Sequence, residues 1–427
     1  MSDNLKPLKD GDTVCIFGGG PGGSGCAIAL KQEAKKLGKD IRVVIFEQKK
    51  FEEHRQYNQC IGVLSPPLEN ILRENLGLEF PPDMIQKEIA GYCLHSDNRS
   101  LDLNGEEGGK SYAVKRSKFD AFMMSKAIEA GAEIVQNRVT AVEIFDEEVL
   151  VYSEGENCRA TVVVGAFGLD DGSCKIFEQA TPYKQPDFLN TVITKIYPGE
   201  EFLQEIGPTI HAFLLSRNGL EFGAITPKDD HLSINVAGRT VSSQVMLEFL
   251  RSAPVQRFLP KHKRREKPLN YFRGKFPIAP AKNLFGDRYV TIGDAAGLIR
   301  PFKGKGINSA CLTGIYAAKT ILNYGVSKKA FEFFIEDCNE LTQDLPYGRV
   351  LRWMTKLSLG LEFMDHLLKI GEDDPVFMNC LFNSVSGHKP YKQIFLETAT
   401  IPIGFKMAVE TFNRFILHKR LKVEDRL

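Results

Sequence analysis

The chain has 427 residues, 43% of them hydrophobic and 26% charged, with a formal net charge of +1. At roughly 100–200 residues per domain, that composition supports two or three globular units with a sizeable core. The balanced charge leaves no basic field to draw in nucleic acid, and the densest basic cluster, residues 261–267, reads as a solvated loop. The start of the chain is neither basic nor followed by a long apolar run, so no secretory signal is expected. No apolar run approaches the roughly 18 residues needed to span a bilayer. Nine cysteines are scattered without a CxxC pair. This disfavours a zinc ribbon, an iron–sulfur cluster or a disulfide framework, and reduced thiols in a cytoplasm account for them.

Residues 13–17 form a short apolar strand stopped by the glycines at 18–20. A helix is predicted over 24–37, with Gly38 as its stop, and a second buried strand over 41–47. Further strands are expected near 88–95 and 111–114. A helix over 117–130 and strands at 133–138, 149–152 and 161–164 follow. From 189 to 237 short strands alternate with polar turns, the pattern of an antiparallel sheet. Residues 289–293 return to the buried parallel-strand pattern, and 306–323 read as a helix. Beyond 328 the chain is mostly helical, with breaks expected at Pro346, 371–375, 387–390 and 402–404. The single tryptophan, Trp353, is expected in the core.

The first strand runs into Gly18-Gly19-Gly20-Pro21-Gly22-Gly23-Ser24, in which Gly18, Gly20 and Gly23 fit GxGxxG. Gly18 allows the tight turn, Gly20 lets backbone approach a pyrophosphate, and Gly23 lets helix and strand pack. The helix start offers free N–H groups and a favourable dipole to phosphates. Glu47 ends the next strand, 24 residues past Gly23, where a ribose hydroxyl partner belongs. Its charge would repel a 2′-phosphate. The pattern is that of a dinucleotide site and does not separate FAD from NAD.

The later segment Gly293-Asp294-Ala295-Ala296-Gly297-Leu298-Ile299-Arg300-Pro301-Phe302-Lys303-Gly304-Lys305-Gly306-Ile307 separates them. It resembles the second FAD motif of flavoproteins related to p-hydroxybenzoate hydroxylase, and within them the geranylgeranyl reductase family. The resemblance covers roughly residues 13–320. It implies that Asp294 binds the ribityl chain. It also implies that Pro301, Gly304 and Gly306 set backbone N–H groups against the pyrimidine edge, with the helix from Ile307 pointing there. Val114-Lys115-Arg116-Ser117-Lys118-Phe119-Asp120 resembles a V-x-R-x-x-F-D segment that lays its arginine, here Arg116, beside the FAD. The implied cofactor is FAD.

Two further stretches bear on chemistry. Tyr57-Asn58-Gln59-Cys60-Ile61-Gly62-Val63-Leu64-Ser65 resembles the Cys-Gly-x-x-Leu-Ser stretch of prenyl reductases, with Ile61 where that family has glycine. It makes Cys60, in an apolar cavity, the candidate proton donor and Tyr57 the fallback. Phe222-Gly223-Ala224-Ile225-Thr226-Pro227 matches an aromatic-rich cavity segment. Phe222 and Pro227 are kept, while Ala224 and Thr226 replace large aromatics, which implies a wider substrate cavity. Ala166-Phe167-Gly168 stands where related monooxygenases carry Ala-Asp-Gly, with Asp170 or Asp171 as compensating candidates. No metal spacing occurs, and His54 and His95 are isolated in sequence.

The expected architecture is α/β, α+β overall. A split Rossmann-type FAD domain (1–175 and 269–327) carries an inserted antiparallel-sheet substrate domain (176–268) and a helical C-terminal region (328–427). The leading function is an FAD-dependent reductase of carbon–carbon double bonds in a long apolar substrate, with isoprenoids foremost, fed by an unidentified electron donor. A flavin monooxygenase or related oxidase on an aromatic or polyketide-like substrate is the alternative, and a flavin-carrying electron-transfer or binding protein the third. The expected location is cytoplasmic. Phe405, Val409, Phe412 and Ile416 fall at helical spacing beside Lys419, Arg420, Lys422 and Arg426. That tail is read as a core-facing helix, with peripheral membrane contact as the second reading.

Overall fold

Valine and isoleucine runs buried on both faces dictate a parallel sheet. In the computed structural model, which describes residues 5–50, 60–103, 110–261, 270–300 and 306–398, they build one. Thr13–Phe17 lies between Arg42–Phe46 and Val162–Gly165, parallel to both. Val162–Gly165 pairs in turn with Tyr289–Thr291, and Arg42–Phe46 with Glu133–Val135, again in parallel. Phe285–Gly286 closes the far edge as a short antiparallel strand. The registers Ile16 to Val164 and Val164 to Val290 put the two motif-bearing segments in one sheet, as the split domain requires.

Helix Pro21–Lys36 follows the first strand and packs against helix Gly306–Asn323. A Cβ on Gly314 would stand 2.5 Å from the Gly22 carbonyl oxygen, so the two backbones meet without side chains between them.

The second large sheet has seven strands, in the order Phe272–Pro277, Phe188–Ile196, Leu232–Gly238, Phe222–Pro227, Thr209–Phe213, Gly91–His95 and Ser100–Leu103. Three of these strands come from outside 176–268, and Thr209–Phe213 runs parallel to Gly91–His95, so the sheet is not wholly antiparallel. The reason is burial. One face packs on helices Ser243–Arg251 and Ala253–Gln256 through Phe213, Ile225, Ile234 and Phe249. The other packs on C-terminal helices through Leu94, Leu101, Ile210, Leu368 and Phe377. The strand Gly91–His95 therefore supplies side chains to two cores at once. Within the 189–237 stretch the chain also forms a helix, Glu200–Ile206, that strand alternation did not signal.

The C-terminal region is helical through Ala330–Asp337, Asn339–Gly360, Met364–Asp373, Pro375–Ser386 and Tyr391–Thr398. Pro346 does not break the chain there. It lies inside Asn339–Gly360, where buried Asp344, Leu345 and Gly348 hold the helix in place around it. The break falls instead at Leu361–Phe363, after Gly360. Trp353 is exposed, not part of the core. The predicted 402–404 break and the basic tail lie outside the described residues. Among the described residues no helix is long and apolar enough to cross a membrane.

One ion pair locks this region to the second motif. Arg300 Nε lies 3.0 Å from Asp344 Oδ2, and Arg300 Nη1 donates to the carbonyls of Gly387 at 2.8 Å and Lys389 at 3.2 Å. Burial raises the Asp344 carboxyl above its ordinary range, against the pull of Arg300. Arg300→Ala strands a buried carboxylate and is expected to cost about 3 kcal/mol in urea unfolding. The Arg300→Ala, Asp344→Ala double variant should lose clearly less than the sum of the singles; additive losses would show that the pair is not coupled.

Candidate flavin and substrate site

The glycine turn is shaped by contact. Gly18 has φ +114°, and a Cβ there would lie 2.5 Å from the Ala166 carbonyl oxygen. A Cβ on Gly23 would overlap the Gly18 carbonyl oxygen, so both positions exclude any larger residue. At Gly20 the opposite holds, since a Cβ would meet nothing within 4 Å. Gly20 is the N-cap of helix Pro21–Lys36 and offers no side-chain cap, so the first-turn N–H groups face that open space. Glu47 accepts from Gly19 N–H at 2.9 Å through Oε2 and from Lys49 N–H at 2.8 Å through Oε1. It thus tethers the turn to the second strand, and each oxygen keeps a second lone pair for another donor.

The second motif enters beside it. Tyr289–Thr291 ends in a 3₁₀ turn, Gly293–Ala295, and Gly293 N–H donates to Thr313 Oγ1 at 2.9 Å. Asp294 is half-buried. A Cβ on Gly306, the first residue of helix Gly306–Asn323, would lie 3.2 Å from Asp294 Oδ1, so the carboxylate sits at that helix start. Burial pushes Asp294 up to about 6, with Arg116 pulling the other way. Gly306 and Ile307 open the helix as expected; Pro301 and Gly304 lie outside the described residues.

Arg116 begins helix Arg116–Glu129, and its Nε lies 2.6 Å from Asp120 Oδ1 one turn on. This explains the R-x-x-F-D spacing: the aspartate holds the arginine at i+4, and Phe119 between them is fully buried in the core. Burial alone would lower Arg116, but Asp120, Cys60 and Asp294 outweigh it and keep it cationic. Arg116, Cys60 and Asp294, from three remote segments, thus lie within electrostatic range of one another.

Cys60 is exposed, where an enclosed apolar cavity was expected. The cations Arg116 and Lys228 lie within electrostatic range of it. Tyr57 lies outside the described residues. Gly62, with φ +66°, lets its strand close on Val114, whose N–H donates to Gly62 O at 2.7 Å.

Lys228 is a site residue that the sequence reading did not single out. It is buried, and its Nζ donates to the Val114 carbonyl at 2.8 Å. Burial lowers it to about 8, with Cys60 partly opposing. The only signal in the sequence is its place directly after Pro227. Strand alternation puts Phe222, Ala224 and Thr226 on one face, toward the C-terminal helices, and Pro227 on the other. Phe222 lines a cleft with Leu189, Leu214, Arg352 and Thr355.

Both compensating candidates have protein partners. Asp170 caps helix Asp171–Ala180 by accepting from Ser173 N–H, and Asp171 pairs with Lys275. Phe167 instead joins Phe17, Phe177 and Tyr183 in an aromatic wedge, and Tyr183 OH donates to Ala295 O at 2.7 Å. His95 is not isolated in space. Its Nε2 lies 3.0 Å from His211 Nδ1 in a buried cluster with Cys93, Phe213 and Phe258. Burial drives His95 to about 3 and His211 to about 4, so both are neutral core groups. His54 lies outside the described residues.

The fold is that of Rossmann-type flavoproteins. The chain is similar to a geranylgeranyl bacteriochlorophyll reductase-like protein from Thermoplasma acidophilum. That match has TM-score 0.67 and 18% identity, over 91% of this chain and 99% of that one. A flavoprotein/dehydrogenase from Cytophaga hutchinsonii matches with TM-score 0.69 and 17% identity, over 95% and 100%. No protein-family profile matches. Among curated proteins, the digeranylgeranylglycerophospholipid reductase of Methanococcus vannielii is 24% identical over 376 residues, 82% of this chain and 88% of the relative. These relatives bear out the resemblance to the geranylgeranyl reductase family.

Asp294 gives a test in the flavin-free protein. Its folded pKa lies above the ordinary carboxylate value, so the folded state holds the proton longer than the unfolded one. Stability therefore falls as pH rises through about 4 to 6. Asp294→Asn removes that loss. It is expected to be more stable than the wild type by about 1–2 kcal/mol at pH 7, solvent screening allowed for. The advantage should vanish near pH 4 in urea titrations; equal stability at both pH values would contradict the burial of this charge.

Proposed function

We propose that the chain binds one FAD non-covalently and reduces carbon–carbon double bonds of a long apolar substrate of isoprenoid type. One observation carries the reading. Asp294 and Arg116 converge at the start of helix Gly306–Asn323, packed beside the open Gly20 turn, in a chain whose curated relatives are named reductases over most of its length. The proposed division keeps residues 1–175 and 269–327 for the cofactor and 176–268 for the substrate wall, joined by the three strands described above.

FAD, when bound, supplies the hydride. The protein's own residues do the rest. Gly18, Gly20 and Gly23 shape the pyrophosphate turn, and Glu47 offers its spare lone pairs to a ribose hydroxyl. Asp294 would hold the ribityl hydroxyls. Arg116 and the N–H groups at Gly306 and Ile307 would favour negative charge at the pyrimidine edge. Phe222 and Ala224 form an apolar wall, and Pro227 sets the turn that brings Lys228 inward.

An isolated alkene has no carbonyl to take up charge, so a proton must arrive early in its reduction. Cys60 is the proposed donor, with Tyr57 as fallback. Lys228, within electrostatic range of Cys60, is the proposed source of its replacement proton: it is cationic at neutral pH, yet burial makes it a readier acid than an exposed lysine.

The purified protein is expected to be yellow, with one FAD per chain, and Glu47→Arg should weaken that binding. Photoreduced without oxygen and given an unsaturated archaeal-type lipid, it should reoxidise and leave product heavier by two hydrogens. Cys60→Ala should keep FAD and flavin reduction but slow this step by about 10²-fold. The wild-type rate should fall as pH rises through about 8, where Lys228 gives up its proton, and Lys228→Arg, whose guanidinium cannot pass a proton on, should slow the step and lose that limb. An oxygen-containing product, formed only in air, would favour a monooxygenase instead.

A further inference from the structure

Helix Asn339–Gly360 carries apolar side chains on its solvent side. Val350 is 41% exposed, Trp353 63% and Leu357 47%, and Leu361, just past the helix end, is 58% exposed. Their spacing of three, four and four residues sets them in one stripe along the helix. Monomeric proteins rarely leave such a row in water, and a contiguous exposed apolar face marks a protein or membrane contact.

Three observations choose between those partners. The flank of the stripe carries the exposed cations Arg349 and Lys356, while the one acid in the helix's first turn, Glu340, projects to the other side. Trp353, amphipathic and the most exposed of the four, suits the headgroup level of a bilayer. The same helix also forms one wall of the cleft at Phe222, through Arg352, Thr355 and Lys356. Lys356 therefore stands between the apolar stripe and the cleft. The Glu221 carboxylate fixes the helix against the sheet there, with Arg352 Nη2 at 2.6 Å and Lys356 Nζ at 3.7 Å.

We propose that this face lies on an anionic lipid surface, the stripe sunk among the acyl chains and Arg349 and Lys356 at the phosphates. The proposal rests on the lipid-substrate reading, because an enzyme that takes bilayer-borne chains needs a seat on the bilayer. It differs from a solvated helix by placing apolar side chains, not charges, at the contact. An interfacial helix of this kind binds through its buried apolar area together with attraction to anionic headgroups.

Trp353 is the chain's single tryptophan, so its emission reports this face directly in the unmodified protein. With phosphatidylglycerol vesicles the emission should shift to the blue and the protein should sediment with the vesicles. Phosphatidylcholine vesicles should bind it at least about tenfold more weakly, and salt should release it. Val350→Glu with Leu357→Glu should reduce vesicle binding at least about tenfold, while reduction of detergent-dispersed lipid stays at the wild-type rate. Three results would overturn the proposal: no shift and no sedimentation with anionic vesicles, binding unchanged in the double variant, or emission already blue without lipid and dependent on protein concentration, which would give the face to a second copy. Vesicle binding without any lipid reduction would leave the docking face standing and remove the reductase reading. Reduction of dispersed lipid without vesicle binding would do the reverse.

Discussion

Glycine at 314 lets helix Gly306–Asn323 lie directly on helix Pro21–Lys36, with the would-be Cβ 2.5 Å from the Gly22 carbonyl oxygen and 3.1 Å from Cys26 N. Everything in the proposed cofactor site depends on that contact. Both helices begin at the same edge of the parallel sheet, one after Thr13–Phe17 and the other after Tyr289–Thr291. Each helix start carries roughly half a positive charge from its aligned peptide dipoles. Two such starts held side by side repel, and an anion between them relieves the repulsion. The fold is built to hold negative charge at that edge, which is what a pyrophosphate and a reduced flavin would bring.

The same edge concentrates groups that are costly to bury. Asp294 is held above its ordinary carboxylate range by burial, and Lys228 below its ordinary amine range by the same cause. Neither is an accident of packing. Asp294 is fixed by the turn that Gly293 anchors to Thr313, and Lys228 by its bond to Val114 O. Both belong to segments that meet at Arg116, whose charge Asp120 secures. A region that destabilises its own charges and leaves the start of helix Pro21–Lys36 without a side-chain cap gains stability when a ligand satisfies them, so cofactor binding and folding stability are coupled there.

Much of this was legible in the residues. The parallel strands announce themselves as short valine-rich runs, and the helix over 306–323 matches its predicted span. Gly18, Gly20 and Gly23 can be assigned separate roles before any coordinates are seen; backbone crowds Gly18 and Gly23, and Gly20 lies open. Lys228 could not be found, because its burial depends on a carbonyl 114 residues away. The His95–His211 pair was hidden for the same reason, since adjacent strands bring together residues 116 positions apart. Local rules misled where tertiary packing outweighed them. Pro346 stays within a helix, Trp353 is exposed because its helix turns that side to solvent, and three strands join the large sheet from outside the predicted insert.

The central claim is that the contact between helices Pro21–Lys36 and Gly306–Asn323 makes the cofactor site. Gly314→Val forces the two helices apart without replacing any residue proposed to bind FAD. FAD affinity measured by flavin fluorescence, with far-ultraviolet circular dichroism as the check on folding, tests the claim most directly. A folded Gly314→Val protein that has lost at least about tenfold in FAD affinity, or 1.4 kcal/mol, is the predicted result. A folded variant that binds FAD as tightly as the wild type would contradict it.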